Sequence, residues 1–249
     1  MASDIRIAAQ LYIYGESLHQ PCGLPPILAG LAEAGYDAVE GFGGVPSNPN
    51  LLQTAKLGYV GPHLVLPALS DPDTVAAETK RLGGEAVICS GLREWDVRTP
   101  AAYRGAAEML NAAGRTLRAS GVRLHYHNHD FEFDQVDGTQ TGMDLLCAGL
   151  DPNAVELCVD AGWVWRAGQD PSAFLREHRN QIGLVHLRDF IGTQSVPLGR
   201  GEIPLAPIIA ALSDLPNLHW AIVEQDPDST DPGADMAVSR VHLRERFSL

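Results

Sequence analysis

Eight short β-rich runs alternate with amphipathic segments along the chain, and this alternation constrains the fold more than any other feature of the sequence. Strands that alternate with helices form parallel sheets. Eight such units in 249 residues match the usual size of a closed barrel. We therefore predict an α/β protein, a single (β/α)8 TIM barrel that occupies residues 1–249 as one domain. The predicted strands are 5–12, 38–42, 59–66, 86–91, 122–129, 155–160, 183–189 and 220–226.

The segments between the strands carry the signals that begin and end helices. Asp71, Thr99 and Asp170 each precede a proline, which places an N-cap residue before a residue that suits the first helical position. Gly35 follows an apolar repeat at i, i+3, i+4 and i+7 and predicts a helix end. An open doubly wound sheet is the alternative fold, but the first strand leads into YGESLHQPCG, which lacks the GxGxxG phosphate loop of such sheets.

The charge and composition of the chain exclude several classes of protein. The net charge of −13 repels nucleic acid, and the basic residues are scattered rather than clustered. No run of 18 apolar residues predicts a membrane span, and the first residues lack the pattern of a secretory signal. The four cysteines lie far apart without CxxC spacing, which favours reduced, buried thiols. We expect a cytoplasmic protein that binds neither nucleic acid nor membranes.

Polar side chains lie at or near the ends of several predicted strands, at the edge where TIM barrels carry their active sites. They are Glu40, His63, His127, His129, Asp160, His186 and Glu224. Alternate residues of a strand face the barrel interior, so each polar group should end an inward row of apolar residues. The predicted inward rows are Cys158 and Asp160; Ile182, Leu184 and His186; and Trp220, Ile222 and Glu224.

Imidazole and carboxylate groups gathered at the mouth of a barrel indicate a metal site. Charges that converge there without partners would be costly to bury, and a divalent cation removes this cost. Mixed nitrogen and oxygen ligands suit Mn²⁺, Co²⁺, Zn²⁺ or Fe²⁺, and Mg²⁺ less readily. We therefore predict one divalent metal ion as the cofactor, with Mn²⁺ favoured.

Seven motifs make the chain similar to the sugar isomerase/epimerase family with the xylose-isomerase-like TIM barrel. They are GYDAVEGFG, GPHLVL, YHNHDFEF, VDAGWVWRAGQDP, LVHLRDF, LGRGEI and IVEQD. The family includes ketose 3-epimerases, hydroxypyruvate isomerase, inosose dehydratase and isomerase, and more distantly endonuclease IV. The resemblance implies one divalent metal held by Asp160, His186, Glu224 and a residue of the fifth strand. Epimerases have a glutamate at that last place, whereas the end of the strand aligns with His127 here.

The resemblance, together with the positions at the mouth, implies roles for the other polar residues. Glu224 is expected to act as both ligand and acid/base group, with His127 or His129 as its counterpart. Arg188 is expected to contact a substrate oxygen or to hold Asp189. The backbone N–H groups of the LGRGEI loop would suit a phosphate. The expected substrate-binding residues are Glu40, His63, Glu132, Arg188 and Trp163.

Several functions stay open at this stage. The first is a sugar isomerase or epimerase that forms an enediolate from a ketose or keto-polyol. The second is a lyase or dehydratase of the same family that acts on a 3-keto-glycoside or an inosose, which His127 in place of a glutamate favours. The third is a sugar-binding barrel without catalysis, and a DNA-repair endonuclease is opposed by the acidic charge. We expect an unphosphorylated small-molecule substrate and a possible homo-oligomer.

Overall fold

Eight parallel strands close into a barrel in the computed structural model, which describes residues 5–249. The barrel strands are β1 Arg6–Gln10, β2 Ala38–Gly41, β3 Gly58–Val65, β4 Ala86–Ser90, β5 Arg123–His127, β6 Val155–Asp160, β7 Ile182–Leu187 and β10 Trp220–Val223. Two short strands after β7, β8 Asp189–Ile191 and β9 Gln194–Val196, form an antiparallel hairpin. Around the barrel the order is β1-β10-β7-β6-β5-β4-β3-β2, which confirms the predicted (β/α)8 architecture.

Helices surround the barrel on the outside, in the segments between successive strands and after the last strand. They are α1 Leu24–Ala34, α2 Pro49–Ala55, α3 Pro72–Arg81, α4 Pro100–Ala119, α5 Gly142–Gly149, α6 Ala161–Arg166, α7 Pro171–Glu177, α8 Leu205–Leu212 and α9 Pro232–Phe247. Within residues 5–249, no helix combines the length and the hydropathy that crossing a membrane would require.

The predicted helix boundaries follow from local chemistry and are confirmed. The side chains of Asp71, Thr99 and Asp170 accept hydrogen bonds from backbone N–H groups in the first turns of α3, α4 and α7. Each helix then begins at the proline that follows. Gly35 ends α1 with φ of 94°, a left-handed conformation that glycine adopts without strain.

The barrel interior is filled by a small apolar cluster that is separate from the larger core between strands and helices. The guanidinium of Arg6 lies 3.8 Å from the ring of Trp220 at the N-terminal end of the strands. Because the interior is packed, the next inward residue of each strand lies at the open C-terminal end. The interior cluster comprises Ala8, Ala38, Val60, Ala86, Ile88, Cys158, Leu184, Trp220 and Ile222.

A bulge in β3 turns His63 toward the interior. One extra residue in β3 shifts its register against β2. Gly61 lies at this point, and a Cβ there would come within 1.7 Å of the carbonyl oxygen of Ala86, so a larger residue does not fit. Val60 and His63 therefore both face inward although they are three positions apart.

A second irregularity corrects one predicted inward row. The register of β7 against β6 shifts by one residue at Gly183. Leu184 belongs to the interior cluster as predicted, but Ile182 packs in the outer core instead. The prediction that Ile182 shares the face of His186 is therefore wrong, because the extra residue breaks the simple alternation.

Candidate metal centre

Each of the eight barrel strands delivers one polar side chain to the mouth of the interior. These residues are Gln10, Glu40, His63, Ser90, His127, Asp160, His186 and Glu224; His63 is partly buried and the others are buried. A cavity of about 490 Å³ opens above them to solvent. The sequence prediction missed Gln10 and Ser90, although they follow Ala8 and Ile88 by two positions and the alternation rule would have found them.

Four of these side chains form a candidate ligand set. His127, Asp160, His186 and Glu224 each offer one donor atom, and the four atoms all lie within 4.8 Å of one another. Donors at ~2.1 Å from one ion lie up to about 4 Å apart, so small side-chain movements would bring this set onto a cation. The sequence placed the same four residues around one point. Two imidazole nitrogens and two carboxylate oxygens fit the borderline transition-metal ions.

Arg188 lies among the candidate ligands and pairs with three carboxylates. Its Nε donates to Asp160 at 2.7 Å, its Nη1 donates to Asp226 at 2.6 Å, and its Nη2 donates to Glu224. Arg188 also lines the cavity, although its side chain is only 3% exposed. Asp226 was not among the predicted site residues, and the structure adds it to the mouth.

The alternative expectation, that Arg188 holds Asp189, is contradicted. Asp189 is buried and accepts hydrogen bonds from the backbone N–H groups of Gly199, Gly201 and Ile203 at 2.9–3.1 Å. These N–H groups belong to the LGRGEI loop and were expected to suit a phosphate. The protein's own carboxylate uses them, and it thereby fixes the loop beside the barrel.

Glu40 lies beneath the cavity and does not line it. Its Oε1 is 2.8 Å from Nδ1 of His63, and its Oε2 is 2.8 Å from Nε2 of His186. The side chain is fully buried, so the predicted contact between Glu40 and substrate hydroxyls is contradicted. His63 does line the cavity, and its Nε2 lies 3.0 Å from the hydroxyl oxygen of Ser90.

Glu132 is likewise buried, behind His129 rather than in front of it. Its carboxylate accepts hydrogen bonds from the hydroxyl of Tyr126 at 2.6 Å and from the backbone N–H of His129 at 2.7 Å. Both oxygens are therefore engaged inside the protein, which contradicts the predicted contact between Glu132 and substrate. His129 itself lines the cavity, with its ring stacked on Phe131 at a centroid distance of 5.1 Å.

Aromatic side chains form the upper walls of the cavity. Trp163 lines it as predicted and lies 5.8 Å from the ring of His129. Trp95, which was not predicted, reaches the cavity from the segment after β4 and packs edge-on against His129 at 5.4 Å. Tyr12 and Phe42 form the opposite wall, with ring centroids 4.7 Å apart. The cavity therefore has a polar floor and apolar sides, the usual form of a small-molecule site.

Burial and charge shift the two candidate carboxylate ligands in opposite directions. Burial raises the pKa of Asp160 to about 6 against the opposing charge of Arg188. Burial would also raise the pKa of Glu224, but Arg188 and His186 outweigh it and hold that pKa well below the ordinary value. Glu224 is therefore the more firmly ionised of the two, and cations at this point stabilise the charged form.

Burial and charge keep two of the imidazoles that line the cavity, those of His127 and His129, in the neutral form. Burial lowers the pKa of His127 well below its ordinary value, and the neighbouring His186 lowers it further. Burial and the charge of Arg188 lower the pKa of His129 to about 3. Neutral imidazole is the form that binds a metal or accepts a proton, so both side chains are available for either role near neutral pH.

Comparisons with known proteins agree with this architecture. Residues 69–246 match the family model described as the xylose isomerase-like TIM barrel. An inosose dehydratase of Geobacillus kaustophilus is 28% identical over 256 residues, which cover 83% of this chain and 82% of that protein. An inosose dehydratase of Clostridium tetani is 27% identical over 180 residues, or 63% of this chain and 58% of the relative, so this match spans less than two thirds of the relative's length.

Solved structures show the same fold. A sugar phosphate isomerase/epimerase from Parabacteroides distasonis has a TM-score of 0.82 at 20% identity, covering 98% of this chain and 95% of that one. An L-ribulose 3-epimerase has a TM-score of 0.76 at 19% identity, covering 96% and 93%. At these sequence identities, the two structures support the fold and nothing further. The family model, however, matches well over half of the sequence. The chain therefore belongs to the xylose isomerase-like TIM barrel family.

Proposed function

We propose that the protein is a divalent-metal-dependent enzyme that removes the proton beside the carbonyl of a cyclic keto-polyol or keto-sugar and then expels water. The observation that carries this proposal is the convergence of four candidate ligands, two of which, His127 and Glu224, line a cavity that also holds acid/base groups. Proton abstraction beside a carbonyl needs both features. The inosose dehydratases among the relatives favour water loss as the outcome.

The candidate ligands would hold the ion through two imidazole nitrogens and two carboxylate oxygens. They are His127, Asp160, His186 and Glu224. This donor set favours Mn²⁺, with Co²⁺, Zn²⁺ and Fe²⁺ as alternatives. When bound, a divalent ion stabilises the negative charge that develops on substrate oxygens. Arg188 adds a permanent positive charge beside the same carboxylates and presents its guanidinium to the cavity.

Proton transfer would use groups on two sides of the cavity. His63 and His129 line one side, from β3 and from the segment after β5, which flank β4 in the barrel. Glu224 and Asp226 line the opposite side, at the end of β10. A base on one side can take the carbon-bound proton while the protein delivers a proton to the departing hydroxyl, and an imidazole suits the first task.

Epimerisation or isomerisation is the second candidate, and the same two-sided arrangement favours it. A proton removed from one face of a carbon by an imidazole can be returned to the other face from the side of Glu224. The chemistry up to proton removal is common to both candidates. The outcome depends on whether a leaving hydroxyl lies next to the carbon that loses its proton.

The experiment is to incubate the Mn²⁺-loaded protein in deuterated water with an inosose and a panel of keto-hexoses. After removal of the metal, NMR would follow deuterium at carbon and the appearance of unsaturated or inverted products. We expect deuterium incorporation, with dehydration of the inosose as the fastest reaction. Inversion without water loss would replace the first candidate with the second. A metal-loaded protein that exchanges no carbon-bound proton in any of these compounds would contradict both.

A further inference from the structure

One buried carboxylate joins two histidines on different sides of the mouth. Glu40, at the end of β2, has both oxygens engaged, by His63 from β3 and by His186 from β7, each at 2.8 Å. The Glu40 side chain is fully buried. Among the residues that the structure describes, these two histidines are its only ion-pair partners. The carboxylate therefore serves imidazoles rather than substrate.

The hydrogen bonds of Glu40 fix which nitrogen of each imidazole carries a proton. An ionised carboxylate only accepts hydrogen bonds, so each nitrogen that faces it must carry the hydrogen. His63 then holds its proton on Nδ1 and leaves Nε2 as a lone pair, which accepts from the Ser90 hydroxyl at 3.0 Å. His186 carries a proton on Nε2 toward Glu40, while its Nδ1 faces Glu224 on the side of the candidate metal centre. Without a cation Nδ1 also donates to that carboxylate, and a metal bound there would take the place of this second proton. A carboxylate that binds the distal nitrogen of a ligating histidine is a common support of metal sites.

His63 differs in this respect from the other imidazoles that line the cavity. The nitrogens of His127 point to Cys158 and Asp160 at 4.0 and 3.9 Å, beyond hydrogen-bond distance to the carboxylate. Nδ1 of His129 is buried without a hydrogen-bond partner. Of the cavity-lining histidines within residues 5–249, His63 alone has a carboxylate within hydrogen-bond reach. A carboxylate–imidazole pair of this kind orients a general base and stabilises the cation that it becomes.

We propose that His63 is the residue that takes the substrate proton, and that Glu40 is the positioning residue that orients His63 and His186 together. This inference rests on the proposed function. Nε2 of His63 forms a bond to the proton as the C–H bond breaks, and the electron pair moves toward the carbonyl oxygen. In dehydration, the same proton passes to the hydroxyl that leaves from the neighbouring carbon, so that water is released and His63 returns to its neutral form.

The Glu40→Gln substitution tests the positioning role because an amide cannot serve both imidazoles in the same way. Its oxygen can accept from one ring, but its NH₂ group can only donate to the other, so one histidine must move its proton to the opposite nitrogen. The neutral amide also cannot stabilise a positive charge on His63. Glu156→Gln is the matched control, because Glu156 lies 3.1 Å from Nε2 of His125 at the closed end of the barrel, away from the cavity.

The first readout is the tautomer of each histidine, from ¹⁵N NMR of the histidine-labelled protein. We expect wild-type His63 to carry its proton on Nδ1, and at least one of His63 and His186 to change in Glu40→Gln. Glu156→Gln should leave both unchanged. A wild-type His63 with its proton on Nε2 alone, or a Glu40→Gln variant with both tautomers retained, would overturn the proposal. This readout does not depend on any activity.

The second readout is turnover at saturating Mn²⁺. We expect Glu40→Gln to lower kcat by about 100-fold with KM changed by less than about threefold, because general-base catalysis is lost and substrate contacts remain. His63→Gln should lose carbon–deuterium exchange by a similar factor and keep its bound metal. A raised KM with unchanged kcat, retained exchange in His63→Gln, or metal loss in His63→Gln would each contradict the inference. A wild-type protein without exchange would contradict the proposed function instead.

Discussion

The two ends of the barrel interior carry the same kinds of side chain but balance their charges differently. At the closed end, the carboxylate of Glu156 meets His125 at 3.1 Å and the guanidinium groups of Arg118 and Arg123 at 3.6 and 3.7 Å, and Arg123 also lies 3.9 Å from the exposed Glu85. At the open end, Arg188 is the one guanidinium within residues 5–249 that pairs with the carboxylates of Asp160, Glu224 and Asp226, and a fourth carboxylate, Glu40, pairs there with histidines. The arginines at the closed end thus match its carboxylates, whereas carboxylates outnumber arginines at the open end.

A structural cluster of charges balances itself, whereas a binding site keeps unbalanced charge next to free space. Buried carboxylates are costly unless cations neutralise them, and the closed end meets that need with its own residues. It also has no free space, since a Cβ on Gly183 would lie 2.2 Å from Glu156 and 2.6 Å from His125. The open end has an excess of acid and a cavity of about 490 Å³ above it. Of these two ends, the open one therefore has the charge and the space that a divalent cation and a substrate would need.

Substitutions at the two ends of the barrel should differ most in their effect on enzymatic activity. Asp160→Asn should lower kcat/KM by about 1,000-fold or more, because it removes a ligand charge while the amide can still cap α6. Glu156→Gln should stay within about threefold of wild type. The comparison is made in the deuterium-exchange assay at saturating metal. Equal losses of kcat/KM in the two variants would mean that the open end contributes no more to catalysis than the closed end does.

The second prediction compares the effect on stability of one arginine at each end of the barrel. Arg188→Gln should destabilise the metal-free protein by about 3–5 kcal/mol, because it leaves buried carboxylates without their cation. Added Mn²⁺ should restore much of that loss by neutralising the same groups. Arg118→Gln should cost less than about 1 kcal/mol, since that side chain is 45% exposed. Urea unfolding with and without Mn²⁺ measures the stability of both variants. If Mn²⁺ does not reduce the loss of stability in Arg188→Gln, then the ion does not neutralise the carboxylates that pair with Arg188.

The stabilising contributions of buried Glu132 and partly buried Glu156 should change with pH in opposite directions. Burial raises the pKa of Glu132 from 4.5 to about 7, so the folded state binds the extra proton and stability falls as pH rises from about 4.5 to 7. The full effect is roughly 3 kcal/mol, and Glu132→Gln should remove it. Burial would also raise the pKa of Glu156, but His125 and Arg123 outweigh it and lower that pKa. Its stabilising contribution is therefore lost as pH falls, and Glu156→Gln should flatten the acid side of the urea-unfolding profile.

The smallest expected effect concerns space at the closed end. Gly183→Ala should destabilise the protein by about 1–3 kcal/mol, because the added methyl group overlaps Glu156 and His125. The control is Gly30→Ala in α1, where a Cβ meets no atom within 4 Å and a gain of about 0.5–1 kcal/mol is expected. Metal binding should be unchanged in both. A Gly183→Ala variant with unchanged stability would show that the side chains at the closed end can move to make room for the methyl group.

The sequence predicted what depends on local periodicity and missed what depends on irregular geometry. The βα alternation, the caps at Asp71, Thr99 and Asp170, and the inward row that ends at Glu224 follow from spacing alone. The register shift at Gly183 has no periodic signal, because it arises from contact between strands.

The partners of long or buried side chains were also beyond sequence reasoning. Glu40 and Glu132 were expected at the cavity surface. Instead, Glu40 is buried against His63, and Glu132 is buried against the hydroxyl of Tyr126. Arg188 reaches across to Asp160 and Asp226, which no spacing rule gives. Self-association and the identity of the metal stay predictions.

Metal content measured against chain concentration tests the central claim most directly. Purified protein would be stripped, reloaded with Mn²⁺ and counted by mass spectrometry of the elements, alongside Asp160→Asn and Glu156→Gln. We predict one Mn²⁺ per chain in the wild type and in Glu156→Gln, and a dissociation constant raised more than about 100-fold in Asp160→Asn. A wild-type protein that binds no divalent ion, or an ion that Asp160→Asn retains with equal affinity, would contradict the claim that the acidic excess at the open end is a metal centre.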